Sequence, residues 1–288
     1  MINISTFFYK LLVQIKYYKN FKRFVNFSNP QDLNEKIQWL KFYSDTSLWS
    51  LCADKYRVRQ FVKEKGYEDI LIPLIGKWDN VDDIDWTKLP QQFIMKINNG
   101  SGGNLICKNI YELDISKTKN YFRFLLNKRF GDFNVEPHYK SITPCIIAEE
   151  LLDITNQSIL TNSLIDYKIW CFDGKPFCVC VFYNRCNGKV ESGTYDLNWN
   201  YHKEWSIFTE HYIESSQVLP PPVNWSRMLE IAAKLSEGIP QVRVDLYEVG
   251  GKVYFGEMTF TSAGGFNNDY TDEFLLEMGR KITLPLKK

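Results

Sequence analysis

Hydrophobic residues recur along this chain at two different spacings. Over residues 3–25, Phe7, Phe8, Leu11, Leu12, Ile15 and Tyr18 follow helical spacing, with Lys16, Lys19, Lys22 and Arg23 gathering toward the end. That pattern predicts a basic amphipathic helix. Ser28-Asn29-Pro30 breaks it. Asp32 is placed to cap a second helix over residues 33–43 through Leu33, Ile37 and Leu40, with Glu35 three residues on as in a capping box. A further helix ends near Gly66, with Asp54 as its N-cap. Strand character then takes over. Residues 70–75 and 93–97 read as strands separated by an acidic turn at 79–85, and 110–130 read as a helix of mixed charge. Residues 144–150 form a strand that runs into Glu149 and Glu150, and a polar loop follows at 153–163. Residues 164–172 and 177–183 make a hairpin across Asp173-Gly174-Lys175. The next turn, 184–188, carries Arg185. Residues 225–238 form an amphipathic helix on Met228, Ile231 and Leu235, and the last hairpin joins 242–248 to 252–257 through Gly250-Gly251. Hairpins recur too often for a doubly wound sheet, so the pattern predicts a mixed α+β fold.

Two stretches carry candidate chemistry. Residues 93–108 read FIMKINNGSGGNLICK: two apolar runs joined by a turn containing Gly100, Ser101, Gly102 and Gly103, with Lys96 at its base. Glycines leave backbone N–H groups uncovered, which suits a phosphate cradle. The lysine precedes the glycines, so this is not a Walker A motif. The simpler reading is a surface hairpin with a mobile tip. Lys55, in the first turn after Asp54, is either a phosphate ligand at a helix start or a surface residue. In the last hairpin, Asp245 lies five residues before Gly250 and Glu257 six after Gly251. The two carboxylates therefore come near each other across the ladder, with Arg243 on the face of Asp245. Paired carboxylates can hold Mg²⁺ together with nucleotide phosphate oxygens, and an adjacent arginine can clamp the phosphate. The alternative is a cross-strand salt bridge. Asp166 and Lys168 repeat the theme on the earlier hairpin.

Composition narrows the classes. With 288 residues, 44% hydrophobic and 24% charged, the chain is of ordinary globular type and allows one to three domains. A net charge of +1 argues against a nucleic-acid binder. The seven cysteines form no even framework, and Cys178-Val179-Cys180 has the wrong spacing for a zinc or redox pair. They read as reduced, buried residues of a cytoplasmic protein. No apolar run reaches the ~20 residues of a membrane span, and no signal-peptide cleavage region is apparent. The basic N-terminal helix can lie at the inner face of the cytoplasmic membrane or pack its stripe on the core. His138, His202 and His211 belong to no recognisable triad. Tyr195, Trp199, Tyr201 and Trp205 can shape a sugar site or serve as core and rim.

Several stretches together resemble the ATP-grasp superfamily, and most closely its TupA-like branch of capsule and teichuronopeptide-type polysaccharide loci. They are DKYRVRQFV, LIPLIGKWDNVDDIDWTKLPQQFIMKINNGSGG, DYKIWCFDGKP and VRVDLYEVGGKVYFGEMTF. The resemblance implies two α+β subdomains gripping ATP, with the glycine hairpin as a flap. It divides the chain into a helical region 1–69, a flap subdomain 70–148 and a metal-bearing subdomain 149–288. It further implies Lys55 and Lys96 as phosphate lysines and Glu149, Glu150 and Leu151 as the adenine hinge. Asp166 becomes a ribose-side or metal-side group, Lys168 a cation near the γ-phosphate, and Arg185 an arginine for phosphate or acceptor. Asp245 and Glu257 match the Mg²⁺ ligands, and Thr259 stands where many relatives have a metal-binding asparagine. Asn99 stands where the branch often has histidine. The implied activity is ATP-dependent joining of an amino acid or other amine to a uronic-acid-type sugar or polysaccharide carboxylate through an acyl phosphate. A sugar kinase or glycosyltransferase of the same pathway, or a binding module that keeps the fold, are the competing readings.

Overall fold

A computed structural model describes residues 4–155 and 161–287; the middle of the polar loop expected at 153–163 lies outside the described residues. The chain forms two compact units. One comprises Met1–Thr46, Asn134–Glu136 and Ile154–Lys288, the other Ser47–Phe133 and Pro137–Asp153. These boundaries cut the chain differently from the expected 1–69, 70–148 and 149–288. The first two helices belong with the C-terminal part, because Leu33 and Ile37 share a core with Trp170, Phe172 and Phe274.

The smaller unit contains helices α3 (Ser47–Ala53) and α4 (Val58–Glu64) and a four-stranded sheet of order β1-β4-β2-β3. Its strands are β1 (Leu74–Trp78), β2 (Phe93–Ile97), β3 (Leu105–Cys107) and β4 (Ile146–Glu149). The strand expected at 70–75 begins only at Leu74, because Pro73 offers no N–H to a ladder; Ile70 instead ends a short helical turn with its side chain buried. Helix α5 (Ile115–Asn127) is shorter than the expected 110–130, since the side chain of Asp114 accepts from Lys117 N and starts the helix there. Phe122 and Leu125 seat it on a core with Phe93, Met95 and Ile146.

The larger unit holds α1 (Ile4–Phe21), α2 (Leu33–Tyr43) and a six-stranded sheet of order β10-β9-β5-β6-β7-β8. Its strands are β5 (Asp166–Phe172), β6 (Lys175–Cys186), β7 (Lys189–Asp196), β8 (Tyr212–Glu214), β9 (Gln241–Val249) and β10 (Lys252–Thr259). All pair antiparallel except β7 with β8. Helix α6 (Trp225–Ser236) buries Met228, Ile231 and Leu235, as its spacing predicts. Helix α7 (Asp272–Arg280) packs beside α2; Gly279 comes so close that a Cβ there would lie 2.1 Å from Gln31 O.

Asp32 caps α2 through Glu35 N at 2.8 Å. The Glu35 carboxylate turns to the backbone N–H groups of Gln31 and Asn26 rather than to that of Asp32, so the expected capping box is displaced upstream. The residues that seat α1 in the core, Val13 and Tyr17 with the partly buried Tyr9 and Phe21, are not those of its expected apolar stripe. All six stripe residues, Phe7 through Tyr18, face outward.

Candidate functional site

Within the smaller unit, the side chains singled out by sequence form a cation-rich cluster around one carboxylate. Lys96 on β2 and Glu149 on β4 sit on adjacent antiparallel strands, and Lys96 Nζ donates to Glu149 Oε2 at 2.8 Å. Arg59 on α4 holds the other oxygen, Oε1, at 2.9 Å and also donates to Ile72 O. The Glu149 side chain is thus enclosed by two cations, while Glu150 and Leu151 lie just past the end of β4. Arg59 is the residue that sequence reasoning passed over; its only signal was its place in the stretch DKYRVRQFV.

Lys55 reaches the glycine loop directly, its ammonium donating to Gly100 O. Asp54 caps the turn that presents Lys55, accepting from Tyr56 N and Arg57 N, and also binds Asn98 Nδ2. Helix α4 itself starts later, at Val58. Gly102 and Gly103 both have φ +73°, a conformation L side chains rarely adopt. A Cβ on Gly103 would sit 3.0 Å from Leu125 of α5. The loop residues 99–103 line a cavity of about 200 Å³ with Tyr121, Phe124, Lys128 and Phe130.

In the larger unit, β5, β9 and β10 bring the second set together on one sheet face. Lys168 is the register partner of Asp245, and Asp245 of Glu257. Lys168 Nζ lies 2.5 Å from Asp245 Oδ2 and 2.6 Å from Asp166 Oδ2. Arg243 grips Asp245 with Nε at 2.8 Å and Nη2 at 2.9 Å, and reaches Thr259 Oγ1 at 3.3 Å and Glu257 Oε1 at 3.8 Å. Arg185 closes the group through Asp166 Oδ2 at 3.1 Å. It lies within β6 rather than in a turn: the expected turn at 184–188 is confined to Asn187-Gly188, and Asn184, with φ +47°, sits where the β6–β7 register shifts.

The electrostatics follow from burial. Burial alone would lower the pKa of Lys168, but Asp166 and Asp245 more than offset it, and the ammonium stands above its ordinary value. The same balance raises Arg243 through Asp245, Glu257 and Asp166. Burial pushes the Asp245 carboxyl up while Arg243 and Lys168 pull it back. Three carboxylates, Asp166, Asp245 and Glu257, face three cations, Lys168, Arg185 and Arg243.

The donor set fits a hard cation in part. Asp166 Oδ1 is buried with no hydrogen-bond partner among the described residues, and the Glu257 side chain is 35% exposed beside the Thr259 hydroxyl. Asp245, by contrast, already has both oxygens on cations. Accordingly, no three acidic, histidine or cysteine side chains converge as a ready-made metal cage among the described residues. A Mg²⁺ arriving with nucleotide phosphates, which supply most of its oxygen shell, needs only such a partial set.

Sequence reasoning also missed the support beneath this face. After Thr259 the chain turns through Ala263, Gly264 and Gly265, all with positive φ. Helix α2 fastens that turn with polar side chains: Gln38 donates to Gly264 O and Gly265 O, Asn34 to Asn267 O, and Lys41 to Gly264 O and Asn134 O. Thr261 donates to Glu136. The aromatics considered for a sugar site are largely packed on one another: Tyr195 is fully buried and stacks on Trp199, and Trp205 lies between His202 and Phe274.

The family model that matches this chain places it in the ATP-grasp class, whose members are ATP- and Mg²⁺-dependent ligases. Within that class this chain belongs to the TupA-like ATPgrasp family, whose model matches residues 35–283. No curated protein sequence matches it significantly. Among solved structures it is similar to D-alanine–D-alanine ligase from Helicobacter pylori, at 13% identity over 90% of this chain and 68% of the ligase, with a TM-score of 0.47. It is also similar to the corresponding Bacillus anthracis enzyme complexed with ATP, at 15% identity over 80% of this chain and 62% of that one, with a TM-score of 0.41. N5-carboxyaminoimidazole ribonucleotide synthetase from Thermus thermophilus matches at 10% identity over 79% and 52% of the two chains, with a TM-score of 0.42. This chain therefore spans less than two thirds of the length of the Bacillus ligase.

Proposed function

We propose that this protein is an ATP-dependent carboxylate–amine ligase acting in bacterial surface polysaccharide biosynthesis, joining an amino acid or other amine to a sugar carboxylate. The observation that carries the reading is the sheet face on which Asp166, Lys168, Arg243, Asp245 and Glu257 converge, in a chain of an ATP-grasp family. The polysaccharide setting and the uronic-acid-type acceptor draw their support from the resemblance to the TupA-like branch.

ATP supplies a transferable phosphoryl group that turns an unreactive carboxylate into an acyl phosphate open to amine attack, and Mg²⁺ offsets its charge. The protein's part is positioning and charge neutralisation rather than nucleophilic catalysis. Lys55 and Lys96 would bind phosphate oxygens under the loop 100–103, with Ser101 and the loop N–H groups adding donors. The backbone of residues 149–151 would meet the adenine edge, the role left to it because the Glu149 carboxylate is held by Lys96 and Arg59. Glu257 and Asp245, with the Thr259 hydroxyl, would hold the metal. Lys168 and Arg243 would stabilise the transferring phosphoryl group, Asp166 would orient Lys168, and Arg185, the most exposed of these cations, would meet the acceptor.

The test is the product formed from ATP, candidate amines and uronic-acid acceptors. ADP and phosphate formed together with an amide support the ligase. ADP with a phosphorylated sugar makes the protein a kinase, and release of UDP from a sugar nucleotide without ATP use makes it a glycosyltransferase.

A further inference from the structure

Helix α1 is apolar on two opposite sides, and only one side is used by the fold. Tyr9, Val13, Tyr17 and Phe21, spaced by four, face the core with Val25 and Phe266. On the other side Phe7, Phe8, Leu11, Leu12, Ile15 and Tyr18 are each 44–59% exposed. Phe24, 61% exposed, extends the ridge by stacking on Tyr18 with ring centroids 5.0 Å apart. Contiguous apolar exposure of this kind marks an interaction surface.

Charge decides the occupant. The first 31 residues contain no Asp or Glu and five cations, in a chain whose total is only +1. Lys10 is spent on Tyr43, and Arg23 on Asp32 and Glu35. Lys16, half-buried, donates to Asn134 Oδ1 at 3.3 Å, and Lys19 and Lys22 remain exposed along the ridge. We infer that this outer face of α1 docks the protein on an anionic lipid bilayer, the aromatic and aliphatic ridge entering the headgroup boundary and the lysines meeting lipid phosphates. A convex ridge flanked by lysines suits a deformable anionic surface, the arrangement of helices that lie in the bilayer interface. Among the described residues no helix is long and apolar enough to cross a membrane, so the contact is peripheral. The inference does not depend on the ligase reading.

Co-sedimentation of the full chain with phosphatidylcholine vesicles, with and without phosphatidylglycerol, tests it. Partition should be at least about tenfold stronger onto the anionic vesicles, given the gain per lysine near such a surface, and should weaken as salt screens it. The double variant Phe8→Glu/Leu12→Glu should abolish pelleting, and Lys19→Glu/Lys22→Glu should erase the lipid preference. Both should leave the melting temperature and ATP turnover unchanged, because these side chains touch neither core nor candidate site. Equal pelleting of wild type and variants, or none by wild type, overturns the inference. So does a dimer in solution that Phe8→Glu/Leu12→Glu dissolves, since a second copy would then cover the ridge.

Discussion

Asp245 and Glu257 are register partners on neighbouring strands because Gly256 is a bulge. The ladder runs regularly from Lys252 opposite Val249 to Phe255 opposite Leu246, then skips Gly256 to set Glu257 against Asp245. In an unbulged ladder Gly256 would face Asp245, and Glu257 would point to the other side of the sheet. One extra residue therefore places the second carboxylate on the face that holds Arg243 and Lys168.

Gly256 should accordingly tolerate no side chain. A Cβ there would lie 2.9 Å from Asp245 O and 3.0 Å from the Tyr247 ring. Gly256→Val should cost about 1–3 kcal/mol of stability, as overpacking does, and should lower ATP turnover at least about 100-fold by displacing Glu257. Circular dichroism establishes that the variant is folded; turnover close to wild type in a folded variant would show that Glu257 is not needed on this face.

Lys168 and Glu257 separate stability from catalysis. Lys168 neutralises two buried carboxylates at once, so Lys168→Met should destabilise by about 3 kcal/mol, the cost of leaving a buried ion pair half made. Glu257 is partly exposed, and Glu257→Gln should change stability by no more than about 0.5 kcal/mol. Both variants should lose ATP turnover. Denaturant unfolding and ADP release, measured side by side, check the contrast.

Lys96 can be removed without stranding its partner, because Arg59 keeps hold of Glu149. Lys96→Ala should lose about 2 kcal/mol of stability, the worth of a hydrogen bond to a charged group. It should reduce ATP turnover by about 100-fold or more, as loss of one charge-stabilising donor does. A normal rate at saturating ATP would remove Lys96 from the phosphate site.

What was legible in the sequence is what local pattern controls. The β9–β10 hairpin and the core face of α6 follow from turn residues and alternation, whereas the pairing of Asp245 with Glu257 also needs the bulge at Gly256, which alternation alone does not show. The hidden parts depend on distant partners. The stripe Phe7 to Tyr18 is the most hydrophobic face of α1 yet faces outward, because Val13 and Tyr17 meet Phe266, far along the chain. Strand β7 carries Ser192, Gly193 and Thr194 in its middle and offers no apolar alternation; its place beside β6 makes it a strand. Arg59 gained meaning only when β4 brought Glu149 to it, and the polar face of α2 only when the turn after β10 arrived against it.

Cysteine reactivity should single out one position. Six of the seven thiols are buried, and burial pushes Cys52, Cys145, Cys171 and Cys180 up to about 12, so they remain protonated and inert. Cys186 alone is exposed. A thiol-exchange reagent at pH 8 should label one cysteine quickly in the native protein and all seven after denaturation. Mass spectrometry should place the fast label on Cys186, and fast labelling at Cys178 or Cys180 would contradict their burial between strands.

Lys41 should make stability depend on pH in a definite direction. Its ammonium is fully enclosed, donating to Gln38, Asn134 O and Gly264 O, and burial lowers its pKa from 10.5 to about 7. Between these values the unfolded chain binds a proton that the folded chain does not, so stability rises with pH across that window; below about pH 7 both states are protonated and the cost of burying the charge is fully present. Lys41→Met keeps the stem and removes the titration. The melting temperature of the wild type minus that of Lys41→Met should therefore climb from pH 7 to pH 10 and be level from pH 5 to pH 6.5. Parallel curves across the whole range would mean that Lys41 keeps its proton when folded, held by the Gly264 and Asn134 carbonyls.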